Sequence, residues 1–187
     1  MNYSIHTKDE NFRLIVDILN LHQCKWWLDA GTCLAVVRKG DFIAPTDDVD
    51  IGLLAIHVNL WDLFITEFTA IGFQFSKGRI YKGCRVTLGF TGPEKLDVFF
   101  YYEKDGYLWH PIRGRESEQS AQKVYKPEKF CKHLFDDLKK VSFKDRLCYL
   151  PNPPEQYLVE RYGENWREPN PDYKFWRDSK AIDMEFA

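Results

Sequence analysis

Three aspartates stand out by their surroundings. Asp48 and Asp50 alternate with Val49 and Ile51 in the run TDDVDIGLL, and Asp97 interrupts the apolar, aromatic run KLDVFFYY. Alternation with period two marks a strand, so Asp48 and Asp50 share one face and Val49 and Ile51 the other. At a rise of ~3.3 Å per residue the two carboxylates stand about 7 Å apart. They repel each other and aspartate is a poor strand former, so folding gives no reason for them. Asp97, flanked by Leu96, Val98, Phe99 and Phe100, is costly to bury unless it is paired or ligates a metal. An acidic cluster after Pro45-Thr46 also reads as a solvated turn, with Asp50 at an exposed strand start. The third carboxylate, in a separate apolar strand, favours convergence of Asp48, Asp50 and Asp97 as catalytic metal ligands. Hard oxygen donors of this kind select Mg2+ or Mn2+ over zinc and suit chemistry on a phosphate. No calcium loop starts at Asp47, because its twelfth position is Val58.

The elements that must position these residues lie on either side. Trp26, Trp27 and Leu28 form a short buried strand that stops at a Gly31-Thr32 turn. Residues 33–37 then make a two-turn helix with Gly40 as its stop. A turn of this kind leaves N–H groups free at a helix start, so Gly31 and Thr32 are candidate phosphate-binding residues, with the Thr32 hydroxyl as a further donor. Arg38, at the helix end, suits either two-point contact with a phosphate or pairing with the helix dipole.

Helical spacing places a first helix over residues 11–24, capped by Thr7 or Asp9, and a second over 57–71 with Gly72 as its stop. A hairpin is expected around Lys77-Gly78, joining strands at 73–76 and 79–90. Gly92-Pro93 then leads into the Asp97 strand, beside the strand carrying Asp48 and Asp50. Residues 103–129 turn polar: Asp105-Gly106 marks a hairpin, and the rest reads as a surface loop. Its Arg113, Arg115 and Lys123 are either phosphate contacts or, on the better-supported reading, plain solvated charges. A hairpin around Lys144-Asp145 and a helix over 155–162, closed by Gly163, precede a Trp- and Tyr-rich end expected to be loose beyond Arg177. The fold class is α+β, a mixed sheet with helices mainly on one face. One domain over 1–187 is expected, with its core at 8–102, a polar loop at 103–129 and a closing segment at 130–187.

Composition narrows the partners. With 26 basic against 28 acidic residues the net charge is −2, which leaves no footprint for long nucleic acid. Five cysteines with no C-x-x-C pair argue for free thiols in a reducing, cytoplasmic setting. The start of the chain is polar, so no leader is expected, and no apolar run reaches the ~18 residues of a membrane span.

The order strand, Gly-Thr, helix, D-x-D strand, Asp strand resembles the nucleotidyltransferase fold of the DNA polymerase beta superfamily. Within it, GTCLAVVRKGDFIAPTDDVDIG is similar to the LicD/fukutin pattern G-T-L-L-G-A-V-R, spacer, F-I-P-W-D-D-D-I-D-I-G. Gly31, Thr32, Leu34, Val37, Arg38, Phe42, Ile43, Asp47, Asp48, Asp50, Ile51 and Gly52 fall on it without a gap. Ala35 stands where the family has glycine, and Ala44-Pro45-Thr46 replaces Pro-Trp-Asp. The later run LPNPPEQYLVERYGENWREP resembles the family's closing segment through Tyr157, Leu158, Tyr162, Gly163 and Trp166. The resemblance implies transfer of a phospho-alcohol, such as phosphocholine or ribitol phosphate, from a CDP-alcohol donor to a glycan or other hydroxyl, releasing CMP. A nucleotidyltransferase moving NMP from an NTP fits the same triad, because the fold fixes the ion and not which phosphorus is attacked. A non-catalytic metal- or nucleotide-binding module is the third reading.

Overall fold

The computed structural model describes residues 7–43, 48–92 and 94–186; Asp47 and the Ala44-Pro45-Thr46 departure lie outside them. Helix α1 (Lys8–Leu21) starts at Thr7, whose hydroxyl accepts from the Glu10 amide while the Glu10 carboxylate accepts from the Thr7 amide. This reciprocal cap satisfies two donors that the first turn would leave unpaired. Strand β1 (Trp26–Leu28) and helix α2 (Ala30–Lys39) follow, then β2 (Asp48–Leu54), a 3₁₀ segment (Ala55–Leu60) and α3 (Trp61–Ala70). Strands β3 (Gln74–Tyr81), β4 (Cys84–Thr91), β5 (Lys95–Lys104), β6 (Tyr107–Arg115) and β7 (Lys123–Cys131) come next. A second ribbon, β8 (Lys139–Phe143) with β9 (Arg146–Leu150), and helices α4 (Pro154–Tyr162) and α5 (Phe175–Asp178) complete the described chain.

Seven strands form one mixed sheet in the order β1-β2-β5-β4-β3, with β6 pairing β5 and β7. β2 and β5 run parallel and the other pairs antiparallel. The expected α+β mixed sheet is therefore present, with helices on both of its faces rather than mainly on one. One sheet face buries Val49, Ile51, Leu53, Leu88, Phe90, Leu96, Val98 and Phe100. Helix α3 lies on that face, with Phe68 against Phe90 at 5.3 Å and Trp61 against Phe100 at 5.4 Å between ring centroids. Helix α1 lies beside α3, joined to it by His22 and Glu67 at 2.7 Å, and its Asn20 accepts from the Trp26 indole. Cutting a fully buried ring such as Phe68 back to alanine would cost about 3–5 kcal/mol. The opposite face carries Asp48, Asp50 and Asp97 and is partly covered by α2 and α4.

Four further expectations are corrected. The helix after β1 is ten residues long and begins at Ala30, because Asp29 caps it, so Gly31 and Thr32 lie inside its first turn. The β3–β4 turn falls at Lys82-Gly83, both with positive φ (48° and 80°), as a tight two-residue hairpin requires. Lys77-Gly78 is instead within β3, where Trp61 packs over Gly78 and a Cβ would lie 3.0 Å from its ring. The polar stretch 103–129 is largely the β6–β7 ribbon rather than a loop. Leu108, Trp109, His110, Pro111 and Ile112 are buried along it, and Trp176 of α5 roofs Gly114. Exposed Arg113, Arg115 and Lys123 toward one end of the ribbon hid the pattern. Finally, the chain just beyond Arg177 is packed over residues 179–182: the Ser179 hydroxyl donates to Glu128, Ala181 is buried, and Ile182 bridges to Glu128.

Candidate active site

Parallel pairing of β2 and β5 sets Asp50 directly opposite Asp97 and Asp48 opposite Lys95. Neighbouring strands lie ~4.8 Å apart, so two carboxylates from opposed residues on one face are within reach of a common ion. Asp48 shares that face, two residues before Asp50.

Asp50 is held by the first turn of α2. The Gly31 amide donates to its Oδ2 at 3.0 Å, and the Asp50 amide donates to the Thr32 hydroxyl at 2.8 Å. The Asp50 carbonyl accepts from the Asp29 amide at 2.9 Å. Gly31 is small for a reason, since a Cβ there would lie 3.1 Å from Asp50 Oδ2. Gly52, further along β2, leaves room for the Trp27 indole. Gly31, expected at a phosphate, thus donates here to a carboxylate, and Thr32, expected there too, accepts from the backbone amide of the same residue.

Behind Asp50 lies a buried polar network. Asp29 is fully buried; it accepts from the Ala30 amide at 2.8 Å, from the Tyr101 hydroxyl at 2.7 Å, and from the Tyr157 hydroxyl. Arg161 of α4 donates to the Tyr101 hydroxyl at 3.0 Å and pairs with buried Glu128 at 3.1 Å. Every charge in this network has an opposite partner or hydrogen bonds, as burial demands.

Electrostatics single out Asp50. Burial, then the carboxylates of Asp97, Asp29 and Asp48, push its acid up to about 8. Two lysines answer the other charges: Lys77 Nζ lies 2.7 Å from Asp97, and Lys95 Nζ lies 3.3 Å from Asp48. Among the described residues no three His, Cys, Asp or Glu side chains are close enough to hold an ion in this arrangement. The donor set nonetheless suits a hard divalent cation. Three carboxylates occupy one face, and positive charge brought to the central one would favour its ionised form.

Arg38 is turned elsewhere. Its guanidinium donates to the carbonyl of Trp166 and, at 3.5 Å, to that of Glu168, fastening α2 to the segment after α4. Sequence reasoning brought Asp48, Asp50 and Asp97 to one place but missed Asp29, Lys77, Tyr101 and Arg161. Asp29 carried a signal, an aspartate between a buried strand and a helix start, which is a cap signature. Lys77 carried none, because Lys-Gly reads as a turn.

Residues 23–153 match the LicD/FKTN/FKRP family's nucleotidyltransferase domain. Among individual proteins, human ribitol-5-phosphate transferase FKTN is 24% identical over 160 residues, covering 86% of this chain and 33% of its own length. Human ribitol 5-phosphate transferase FKRP is 26% identical over 175 residues, covering 87% and 33%. An uncharacterized protein of Rickettsia prowazekii is 28% identical over 152 residues, covering 79% and 51%. The chain spans about a third of the length of the two human relatives. A solution structure of the antibiotic-resistance factor ANT(2'')-Ia aligns with a TM-score of 0.43 at 14% identity, over 63% of this chain and 60% of that one, too slight a likeness to build on. The family match rests on a span that contains all three aspartates, and on it the chain belongs to the LicD/FKTN/FKRP family.

Proposed function

We propose that the chain transfers a phospho-alcohol, of the ribitol-phosphate or phosphocholine kind, from a CDP-alcohol donor to a glycan or other hydroxyl, with CMP released. The observation that carries this reading is the opposition of Asp50 and Asp97 on adjacent parallel strands, with Asp48 on the same face, in a chain of this family. The names of the human relatives, both ribitol-phosphate transferases, support the phospho-alcohol.

Asp48, Asp50 and Asp97 would hold Mg2+ or Mn2+. Such an ion, when bound, would neutralise charge developing at the phosphorus and favour the deprotonated acceptor. The chain's own residues do the positioning. Gly31, Thr32 and the Asp29 amide fix Asp50 by its carboxylate, amide and carbonyl, so that it enters the reaction already oriented. Asp97 is the carboxylate suited to help take the acceptor's proton. The acceptor oxygen bonds to the phosphorus bearing the alcohol as the bond to CMP breaks, and CMP departs with the electron pair.

A nucleotidyltransferase would use the same residues on an NTP and release pyrophosphate; the domain's family description keeps that reading alive. The setting we propose is reducing, on the five free cysteines, of which Cys33 and Cys148 are buried. Among the described residues no helix is long and apolar enough to cross a membrane.

The test incubates the protein with Mg2+, a pool of sugar acceptors, and labelled CDP-ribitol, CDP-choline, CTP or ATP in parallel. CMP from a CDP-alcohol is expected. Pyrophosphate from a triphosphate, with both CDP-alcohols untouched, overturns the reading in favour of nucleotidyl transfer. A donor at 100 times its dissociation constant should add about 2.7 kcal/mol of stability, which gives a check free of the acceptor.

A further inference from the structure

Lys77, Gly89, Asp97 and Asp50 stand in one row across four neighbouring strands. Lys77 on β3 is opposite Gly89 on β4, Gly89 is opposite Asp97 on β5, and Asp97 is opposite Asp50 on β2. A register shift creates this row and a glycine opens it. The β3–β4 register shifts between Phe75 and Lys77, so that Phe75 opposes Phe90 while Lys77, two residues on, opposes the very next residue of β4. In a regular ladder Ser76 would oppose Gly89, and Lys77 would face the other way, toward the core side. The bulge turns Lys77 onto the face of the aspartates, and the Ser76 hydroxyl donates to the Gly89 carbonyl at 2.9 Å where the ladder is broken. Gly89 then clears the path. A Cβ there would collide with the Lys77 side chain and lie 2.7 Å from Asp97 Oδ1. Over this gap the ammonium reaches a strand beyond its neighbour and meets Asp97 at 2.7 Å.

A plain surface ion pair needs neither a bulge nor a strand glycine, both of which weaken the local sheet. The pair is also partly sheltered, with side-chain exposures of 34% for Lys77 and 22% for Asp97, against 65% and 41% for Lys95 and Asp48. We propose that Lys77 is a tethered counter-cation of this site. It occupies Asp97 while no ion is bound; when a divalent cation takes the carboxylate, it moves to the diphosphate of the donor. The inference rests on the metal-dependent reading above. A divalent ion and an ammonium compete for one carboxylate oxygen, and the displaced ammonium stays within a side chain's length of it. The anion that arrives there with the ion is the donor's diphosphate, to which lysine binds as a mobile point charge.

The test titrates Mg2+ alone, and then CDP at saturating Mg2+, into the parent protein and into Lys77→Met, Lys77→Arg and Asp97→Asn by calorimetry. Lys77→Met should bind Mg2+ about tenfold more tightly and CDP about tenfold more weakly, the scale of a single charged hydrogen bond. Lys77→Arg should restore most of the CDP affinity, and Asp97→Asn should lose the Mg2+ response. Equal Mg2+ and CDP affinities in parent and Lys77→Met, with the Asp97→Asn loss intact, would overturn the role of Lys77 and leave the metal reading standing. No Mg2+ binding to parent or Lys77→Met would overturn both. Should Lys77→Met fail to fold, Lys77→Gln, which keeps a polar end without the charge, takes its place with the same expectations.

Discussion

The backbone amide of Gly31 donates to Oδ2 of Asp50 at 3.0 Å, so the first turn of one helix fixes the central carboxylate of the adjacent strand. This hydrogen bond makes glycine at position 31 a matter of the site. Alanine is the better helix former by about 1 kcal/mol. Its methyl, however, would sit 3.1 Å from that oxygen and press the carboxylate away by a few tenths of an ångström. Gly31→Ala should therefore melt within about 1 kcal/mol of the parent. It should also lose about tenfold or more of its Mg2+-dependent turnover, as small misplacements of reacting groups do. Paired urea melts and rate measurements check this; an unchanged rate would make the Gly31–Asp50 bond incidental.

A second prediction concerns pH. Asp50 has its acid raised to about 8, chiefly by burial and next by Asp97. An unfolded aspartate ionises near ~3.9. Between these two values the folded protein binds a proton that the unfolded chain does not. The contribution is therefore fully present below the ordinary carboxylate range and is lost as pH rises toward about 8. Metal-free protein should become less stable across that window, and Asp50→Asn should flatten the slope. Mg2+ should reverse the trend, binding more tightly as pH rises and releasing protons as it binds, which calorimetry in buffers of different ionisation enthalpy reads directly.

The sheet strands that carry the aspartates were legible because each has a clean local pattern. Val49 and Ile51 alternate with acids, and Leu96, Val98 and Phe100 point one way along an aromatic run. The parallel register that opposes Asp50 and Asp97 was legible only as an order of elements, since pairing is non-local. The β6–β7 ribbon was illegible because its outward residues are Arg113, Arg115, Lys123 and Lys129, while much of what covers its inner side comes from α4 and α5, far along the chain. Lys77 was hidden for a related reason. Lys77-Gly78 and Lys82-Gly83 are the same dipeptide; the chain turns at the second, and Trp61, from another element, packs over Gly78 of the first. The Asp29 network joins residues 29, 101, 128, 157 and 161, and no spacing in sequence announces such a set.

That network supports the third prediction. Arg161 is the cation between buried Asp29 and Glu128, and it also donates to the Tyr101 hydroxyl. Arg161→Met leaves two buried acids without their counter-charge and should cost about 3–5 kcal/mol. Tyr157→Phe removes one hydrogen bond to Asp29 and keeps the ring, so about 1–2 kcal/mol is expected. Combining Arg161→Met with Glu128→Gln should recover part of the loss, because one stranded charge is gone. A double-mutant cycle in urea measures the coupling; strictly additive costs would show that Arg161 and Glu128 do not act as a pair.

The last prediction concerns Arg38, a candidate for two-point contact with a phosphate. Its guanidinium donates instead to the carbonyls of Trp166 and Glu168, so it closes the end of α2 against the segment that follows α4. An ammonium is a single point charge and cannot serve two carbonyls in the plane that a guanidinium spans. Arg38→Lys should lower stability by about 1 kcal/mol, the worth of one such bond. CDP affinity at saturating Mg2+ should remain that of the parent, because the guanidinium holds the chain's own carbonyls and not the nucleotide. The opposite pattern, an unchanged melt with CDP binding weakened about tenfold, would mean that Arg38 leaves these carbonyls for the donor phosphate when nucleotide binds. Calorimetry and a urea melt on the same preparation separate the two.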